Sequence, residues 1–262
     1  MLIPERLNPT LAGAPLRVPD KMPEKISDAR KRLIVALDVP SAAAAAELVN
    51  RLEGLCQWFK VGLELFTAAG PQVLEPLAAR GFSVFLDLKF HDIPNTVAGA
   101  VRSAAALGVR MMTVHAGGGP TMLAAAQSAL DGMANPPQLL AVTVLTSMDE
   151  AQLKATGLER SPALQVKLLA NLALKAGIRG FVCSPQEVAV LRTLTGPSGV
   201  LVVPGIRPAG SEVGDQRRIA TPSEALRAGA SYLVVGRPIT QAADPAEAAE
   251  AILKEMAEAI TS

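Results

Sequence analysis

A single closed (β/α)8 barrel of the α/β class, the TIM-barrel architecture, preceded by an irregular N-terminal arm, is the fold this sequence predicts. Three observations point to it. Short β-rich apolar runs alternate with longer Ala/Leu-rich stretches of helical spacing, and there are eight such runs: 33-LIVAL-37, 57-QWFKV-61, 83-SVFLD-87, 110-RMMTV-114, 139-LLAVTVL-145, 180-GFVC-183, 200-VLVV-203 and 232-YLVV-235. The runs are continuously apolar, as strands covered on both faces of a parallel sheet must be. The eight βα units follow one another with short connections, which suits a sheet closed on itself. An open doubly wound sheet is the alternative, but it usually carries a Gly-rich turn after its first strand, where this chain reads 37-LDVPS-41.

Taken in order, residues 1–30 are rich in Pro and charge and lack a steady period, so they read as an irregular arm, with the catalytic barrel over 31–262. Ser41 opens the helical stretch 41–52 as an N-cap, and Ser161 opens 161–177, which Gly177 closes. Further helical stretches cover 65–80 and 94–107, the second opened by Pro94.

Half of the residues are hydrophobic but only 3% are aromatic, so the core must be built from Ala, Val, Leu and Ile. Twenty-five basic residues balance 24 acidic ones, and no basic run stands out, so nucleic acid is not an expected partner. No apolar run is long enough to span a bilayer, and the Pro-rich start is unlike a signal peptide, so a cytoplasmic protein without membrane association is expected. Cys56 and Cys183 read as buried thiols of a reducing compartment, and the two histidines offer no metal-like spacing, so no metal is expected.

Polar residues cluster where the apolar runs end. Asp38 ends the first strand, Lys60 lies in the second, and the third ends in Asp87-Leu88-Lys89. His115, Thr146-Ser147, Pro204 to Arg207, and Gly236-Arg237 follow the fourth, fifth, seventh and eighth. In a barrel these converge on one mouth, the C-terminal face where barrel enzymes keep their active sites. Side chains alternate along a strand, so Asp87 and Lys89 point the same way, with Phe85, into the barrel. An isolated Asp-x-Lys reads first as an ion pair that merely holds the barrel mouth, since buried pairs often only balance their own desolvation. Four alternating charges around one mouth exceed what a clamp needs and mark a functional site. The 204–222 loop, after the seventh strand, and the Gly236-Arg237 turn occupy the positions where barrels often bind phosphate, with Arg237 and Gln216 as suitable donors. His91 is expected to be exposed or subunit-facing and His115 to stand behind the site, while Trp58 and Tyr232 read as core or interface.

The run Phe85-x-Asp87-x-Lys89-x-x-Asp92-Ile93-Pro94-x-Thr96 resembles the signature of the orotidine 5′-phosphate decarboxylase family. The likeness extends through 35-VALD-38, 59-FKVGLELF-66, 145-LTS-147, 204-PGIRP-208, 215-DQ-216 and 235-VGRPI-239, and leaves only the arm unexplained. It implies a cofactor-free lyase that converts orotidine 5′-phosphate to UMP and CO2, the last step of de novo pyrimidine nucleotide synthesis. It implies Lys89 as proton donor to C6 and Asp87 against the substrate carboxylate, with Lys60 and Asp38 on the ribose hydroxyls. Asp92, with Ile93 and Thr96 beside it, would reach the site of the other subunit of a homodimer. Thr146 and Ser147 would address the base, Pro204 and Arg207 would lie in the closing loop region, and Gln216, Gly236 and Arg237 would hold the 5′-phosphate. Related metal-dependent sugar-phosphate decarboxylases share the Asp-x-Lys-x-x-Asp core but are expected to have an acidic Mg²⁺ ligand where this chain has Lys60. A phosphate-ligand binder without catalysis is the third reading, because a fold alone does not define function.

Overall fold

The computed structural model describes residues 24–208 and 218–260. Eight parallel strands close into a barrel in sequence order: β1 (Leu33–Ala36), β2 (Trp58–Gly62), β3 (Ser83–Phe90), β4 (Met111–His115), β5 (Gln138–Val142), β6 (Gly180–Val182), β7 (Val200–Val203) and β8 (Tyr232–Val235). β8 pairs with β1 through Leu33↔Leu233 and Val35↔Val235, which completes the ring. The helices are α1 (Glu24–Arg30), α2 (Ala42–Arg51), α3 (Leu63–Ala69), α4 (Glu75–Ala79), α5 (Pro94–Ala106), α6 (Gly119–Ser128), α7 (Glu150–Ala155), α8 (Pro162–Lys175), α9 (Val188–Thr195), α10 (Pro222–Arg227), α11 (Arg237–Thr240) and α12 (Pro245–Ile260).

Alternation along the strands divides the core in two. Ile34, Ala36, Phe85, Met111, Leu140, Val202 and Val234 form one cluster, inside the barrel. Their strand neighbours Leu33, Val35, Val84, Leu86, Leu139, Leu201, Val203, Leu233 and Val235 belong to a second cluster, which packs the sheet against the helices. Both faces are buried, so the strands show no polar alternation in sequence. Continuing the inner rows toward the C-terminal ends, Ala36 is followed two residues on by Asp38, Phe85 by Asp87, and Met111 by Thr113. The apolar lumen therefore gives way to a polar mouth within one residue layer.

Local signals set most helix ends. The Ser41 hydroxyl accepts from Ala44 N at 3.2 Å, and the Ser161 hydroxyl accepts from Leu164 N at 3.5 Å. Gly177 stands just past α8 with φ +88°, the left-handed turn that ends helices. The helical stretch expected over 65–80 is instead broken. Gly70 has φ +70° and Pro71 has no amide hydrogen to continue the ladder, so α3 stops at Ala69 and a 3-10 turn leads into α4.

The end of the expected irregular arm also differs. Residues 24–30 form α1, which packs against α12 with Ala29 fully buried and Ile26 against the core. The helix is too short to stand alone and owes its existence to that packing, which no local period records. Next to it, Arg32 ties the base of the barrel together by donating from Nε to Ser231 O at 3.0 Å and from Nη2 to Ala230 O at 2.8 Å. Trp58 and Tyr232 pack edge to face at the same end, with ring centres 5.4 Å apart. Cys56 and Cys183 are buried free thiols, and burial pushes Cys56 up to about 12 and Cys183 upward as well. Among the described residues no helix is long and apolar enough to cross a membrane.

Phe59 is fully buried and meets Phe82 edge to face at 4.9 Å. Phe59→Ala is expected to cost about 3–5 kcal/mol in chemical denaturation, as for other large-to-small changes at well-packed aromatic sites.

Candidate active site

The charges at the mouth form a continuous chain. Lys60 Nζ lies 2.9 Å from Asp38 Oδ1 and 3.7 Å from Asp87 Oδ2, and Lys89 Nζ lies 2.9 Å from the same Asp87 oxygen. The other oxygen of Asp87, Oδ1, accepts a hydrogen bond from Thr113 Oγ1 at 3.0 Å. Asp87 and Lys60 are buried, Lys89 is half-buried and Asp38 is exposed, so the array runs from solvent into the barrel. Lys60 reaches its place because β2 is registered with Lys60 opposite both Ala36 and Phe85. Its ammonium folds over Gly62, where a Cβ would lie 2.9 Å from Nζ and 3.3 Å from Asp38 Oδ1. Any side chain at position 62 thus competes with the charge array.

Lys89 does not arrive by the simple alternation expected of β3. The pairing of β3 with β4 jumps from Leu86↔Met112 to Phe90↔Val114, so extra residues bulge from the strand between Leu86 and Phe90. Within this bulge Lys89 has φ +52°, the only positive value for a non-glycine among the described residues. Such a conformation costs roughly 1–3 kcal/mol and persists only where surrounding contacts impose it. Here the Lys89 amide donates to Thr113 Oγ1 at 2.8 Å in place of a ladder bond. Thr113 was not among the residues singled out by sequence. The available signal was the inner row Met111, Thr113, His115 on β4.

The two histidines lie beside this bulge. Their rings stack with centres 5.0 Å apart and 12° between planes, and His115 Nδ1 accepts from Gly117 N at 3.1 Å. The His115 imidazole is held below the ordinary histidine range, first by burial, then by His91 and Lys89. On the same flank Lys89, His91, Asp92 and Thr96 line a hollow of about 310 Å³. Asp92, Ile93 and Thr96 are exposed, Ile93 at 67%, and Asp92 Oδ1 accepts from the amide of Ile93 at 2.6 Å.

A second hollow, of about 280 Å³, opens beside the charge array and is lined in part by Asp38, Lys60, Pro204, Arg207, Gly236 and Arg237. Arg207 is buried and donates from Nη1 to Ile206 O at 2.9 Å. Its guanidinium is held below the usual arginine value, by burial first and by Arg237 second. Two cations that feel each other across a concave surface favour an anion between them. Thr240 and Gln241 also line this hollow and were not anticipated. Gln216 lies outside the described residues.

Thr146 is half-buried and Ser147 exposed, in the turn after β5. A buried network behind that turn was also missed. Arg218 pairs with Glu187, whose other carboxylate oxygen accepts from the Ser184 hydroxyl, and Arg218 Nη2 donates to Leu145 O at 2.9 Å. The network joins the segment after β7 to the ends of β5 and β6. Its members lie far apart in sequence, and the isolated residues carry no shared motif.

Parallel strands closed on themselves, with an alternating lysine–carboxylate array at their C-terminal mouth, define a barrel enzyme of the (β/α)8 class. Residues 31–252 match the model of the "Orotidine 5′-phosphate decarboxylase / HUMPS family". Curated relatives named orotidine 5′-phosphate decarboxylase include that of Moorella thermoacetica, 54% identical over 234 residues that cover 87% of this chain and 93% of the relative. That of Nitrosospira multiformis is 56% identical over 219 residues, covering 82% and 89%. Among solved structures, the orotidine 5′-phosphate decarboxylase of Lactobacillus acidophilus superposes with a TM-score of 0.75 at 41% identity, covering 86% of this chain and 98% of that one. The chain belongs to the orotidine 5′-phosphate decarboxylase / HUMPS family.

Because His115 is held toward its neutral form, the unfolded chain binds more protons than the folded one between the lowered folded-state value and the ordinary histidine pKa of about 6.5. The corresponding stability is present above that value and is lost as the pH falls from there through the lowered value of the folded state. His115→Gln is expected to flatten this part of the profile, as read by denaturant unfolding at a series of pH values from roughly 8 down to 5.

Proposed function

We propose that this chain decarboxylates orotidine 5′-phosphate to UMP and CO2, with the Lys89 ammonium as the proton donor. The observation that carries this reading is the fixed pair of Lys89 and Asp87, 2.9 Å apart at the mouth of a barrel of this family. Loss of CO2 breaks the bond from C6 to the carboxylate carbon and leaves the electron pair in an in-plane orbital of C6, where the ring π-system does not spread it. Such a localised charge is best stabilised by a cation already in place. Lys89 supplies that cation and then transfers a proton from Nζ to C6, giving UMP. Asp87 lies against the substrate carboxylate and orients both ammonium groups, while Lys60 and Asp38 address the ribose hydroxyls.

The 5′-phosphate occupies the hollow of Arg207, Gly236 and Arg237, with Pro204 at its edge and Gln216 as a further donor. Two guanidiniums on one concave surface support this assignment. Thr146 and Ser147 read the base. The enzyme works as a homodimer in the cytoplasm, with Asp92 and Thr96 of each chain, flanked by Ile93, completing the site of its partner. Their exposure beside the mouth supports that role. Catalysis calls for no cofactor, and Lys60 argues against the metal-dependent sugar-phosphate branch, because an ammonium is no ligand for Mg²⁺.

Loss of the orotate absorbance on incubation with orotidine 5′-phosphate, equal with and without chelator, is the result expected of this reading; an inert protein, or one silenced by chelator, would overturn it. Lys89→Ala is expected to abolish turnover while the circular dichroism spectrum and UMP affinity stay near those of the parent, and substantial residual activity would refute the donor role. Arg237→Ala is expected to reduce turnover of the phosphorylated substrate far more than of the phosphate-free nucleoside, because remote binding energy is used at the reacting carbon. Equal losses on the two substrates would count against the phosphate site.

A further inference from the structure

We propose that Thr113 is a positioning residue for the reaction, a single hydroxyl that holds both the strained Lys89 backbone and the Asp87 carboxylate. This rests on the decarboxylase reading with Lys89 as proton donor. Thr113 is fully buried on the inner row of β4. Its Oγ1 accepts from the Lys89 amide at 2.8 Å and donates to Asp87 Oδ1 at 3.0 Å. A hydroxyl has one proton to give and lone pairs to receive, so one group satisfies both bonds without conflict.

The geometry makes the two bonds interdependent. The bulge frees the Lys89 amide from the β3–β4 ladder, and φ +52° turns the residue out of the strand. An unpartnered amide beside a buried carboxylate would favour relaxation of the bulge, which would move the Lys89 ammonium. Asp87 has one oxygen shared between Lys60 and Lys89 and the other held by Thr113, so its carboxylate plane is set from β4. The donor nitrogen and its counter-charge are thereby referenced to one rigid point. His115, two residues further along the same strand, adds a second contact through its stack on His91. Proton transfer to carbon tolerates little misplacement, so a small shift of Nζ is felt in turnover before it is felt in binding.

Thr113→Val keeps the shape of the side chain and removes both bonds. It is expected to lower kcat by about 10- to 100-fold, the size associated with losing a hydrogen bond to a buried charged group, with KM and the Kd for UMP within about threefold of the parent. Thr113→Ser and Thr113→Ala remove the same methyl and differ only in the hydroxyl, so they serve even if the valine variant does not fold. A serine variant near the parent in kcat with an alanine variant roughly tenfold or more below it supports the proposal. Equal kcat for serine and alanine, or a loss confined to KM and thermal stability, overturns it. Lys89→Ala measured alongside separates the two levels: if it is inactive while the alanine and valine variants match the parent, the positioning role fails and the donor role stands. If Lys89→Ala retains full activity, the donor reading fails first.

Discussion

The site depends on one carboxylate placed between two ammonium groups. Asp87 takes Lys89 and Lys60 on one oxygen, at 2.9 and 3.7 Å, and a neutral hydroxyl on the other. None of these groups is worth much to stability taken alone, because the attraction gained in a buried ion pair roughly repays its desolvation. Removing the shared carboxylate is a different matter, since it leaves the buried Lys60 ammonium with only the exposed Asp38 for a partner. The array therefore holds its members in a fixed relation without adding greatly to the free energy of folding. Fixed charge of this kind is what a reaction that develops negative charge on carbon requires.

The barrel provides the array with its rigidity. The lumen is filled by Ile34, Phe85, Met111, Leu140, Val202 and Val234. Asp38 and Asp87 sit one step further along the same inner rows and Lys60 stands level with Ala36 and Phe85, so their backbones belong to the packed core even where their heads meet solvent. Two departures from regular geometry adapt this frame to its task. Gly62 leaves room for the Lys60 ammonium, and the β3 bulge swings Lys89 out of the strand into a conformation its side chain would otherwise avoid. Strain of this sort gathers at functional sites because a well-packed surround is able to bear it.

The hollow of Arg207 and Arg237 shares Asp38 and Lys60 with the array, and the hollow of Asp92 and Thr96 shares Lys89 with it. Arg207 and Arg237 are brought together from the ends of β7 and β8, while Asp92 and Thr96 face outward beside Lys89. The arrangement suits a substrate with an anionic end and a reactive end, bound across a line of charges. Arg218 and Glu187 stand behind it and link the chain after β7 to the carbonyls that precede Thr146 and Ser147. The ends of β5 and β6 and the chain after β7 thus share one buried support.

The eight strands, their order and the gathering of Asp38, Lys60, Asp87 and Lys89 were all legible in the chain. Apolar runs and strand-end polarity are properties of local sequence, and a closed parallel sheet converts them directly into positions around a mouth. The run of motifs shared with the family made the family legible too. What local sequence did not contain was α1, the bulge, and the roles of Thr113, Gly62 and the Arg218–Glu187 pair. Alternation predicts where Lys89 would point in a regular strand. Only the register between β3 and β4 decides that its amide leaves the ladder and meets a hydroxyl 24 residues away. Likewise α1 exists because α12, at the other end of the chain, offers it a surface. Period and composition are written residue by residue, whereas strain, register and long-range hydrogen bonds come into being only when distant segments are packed together.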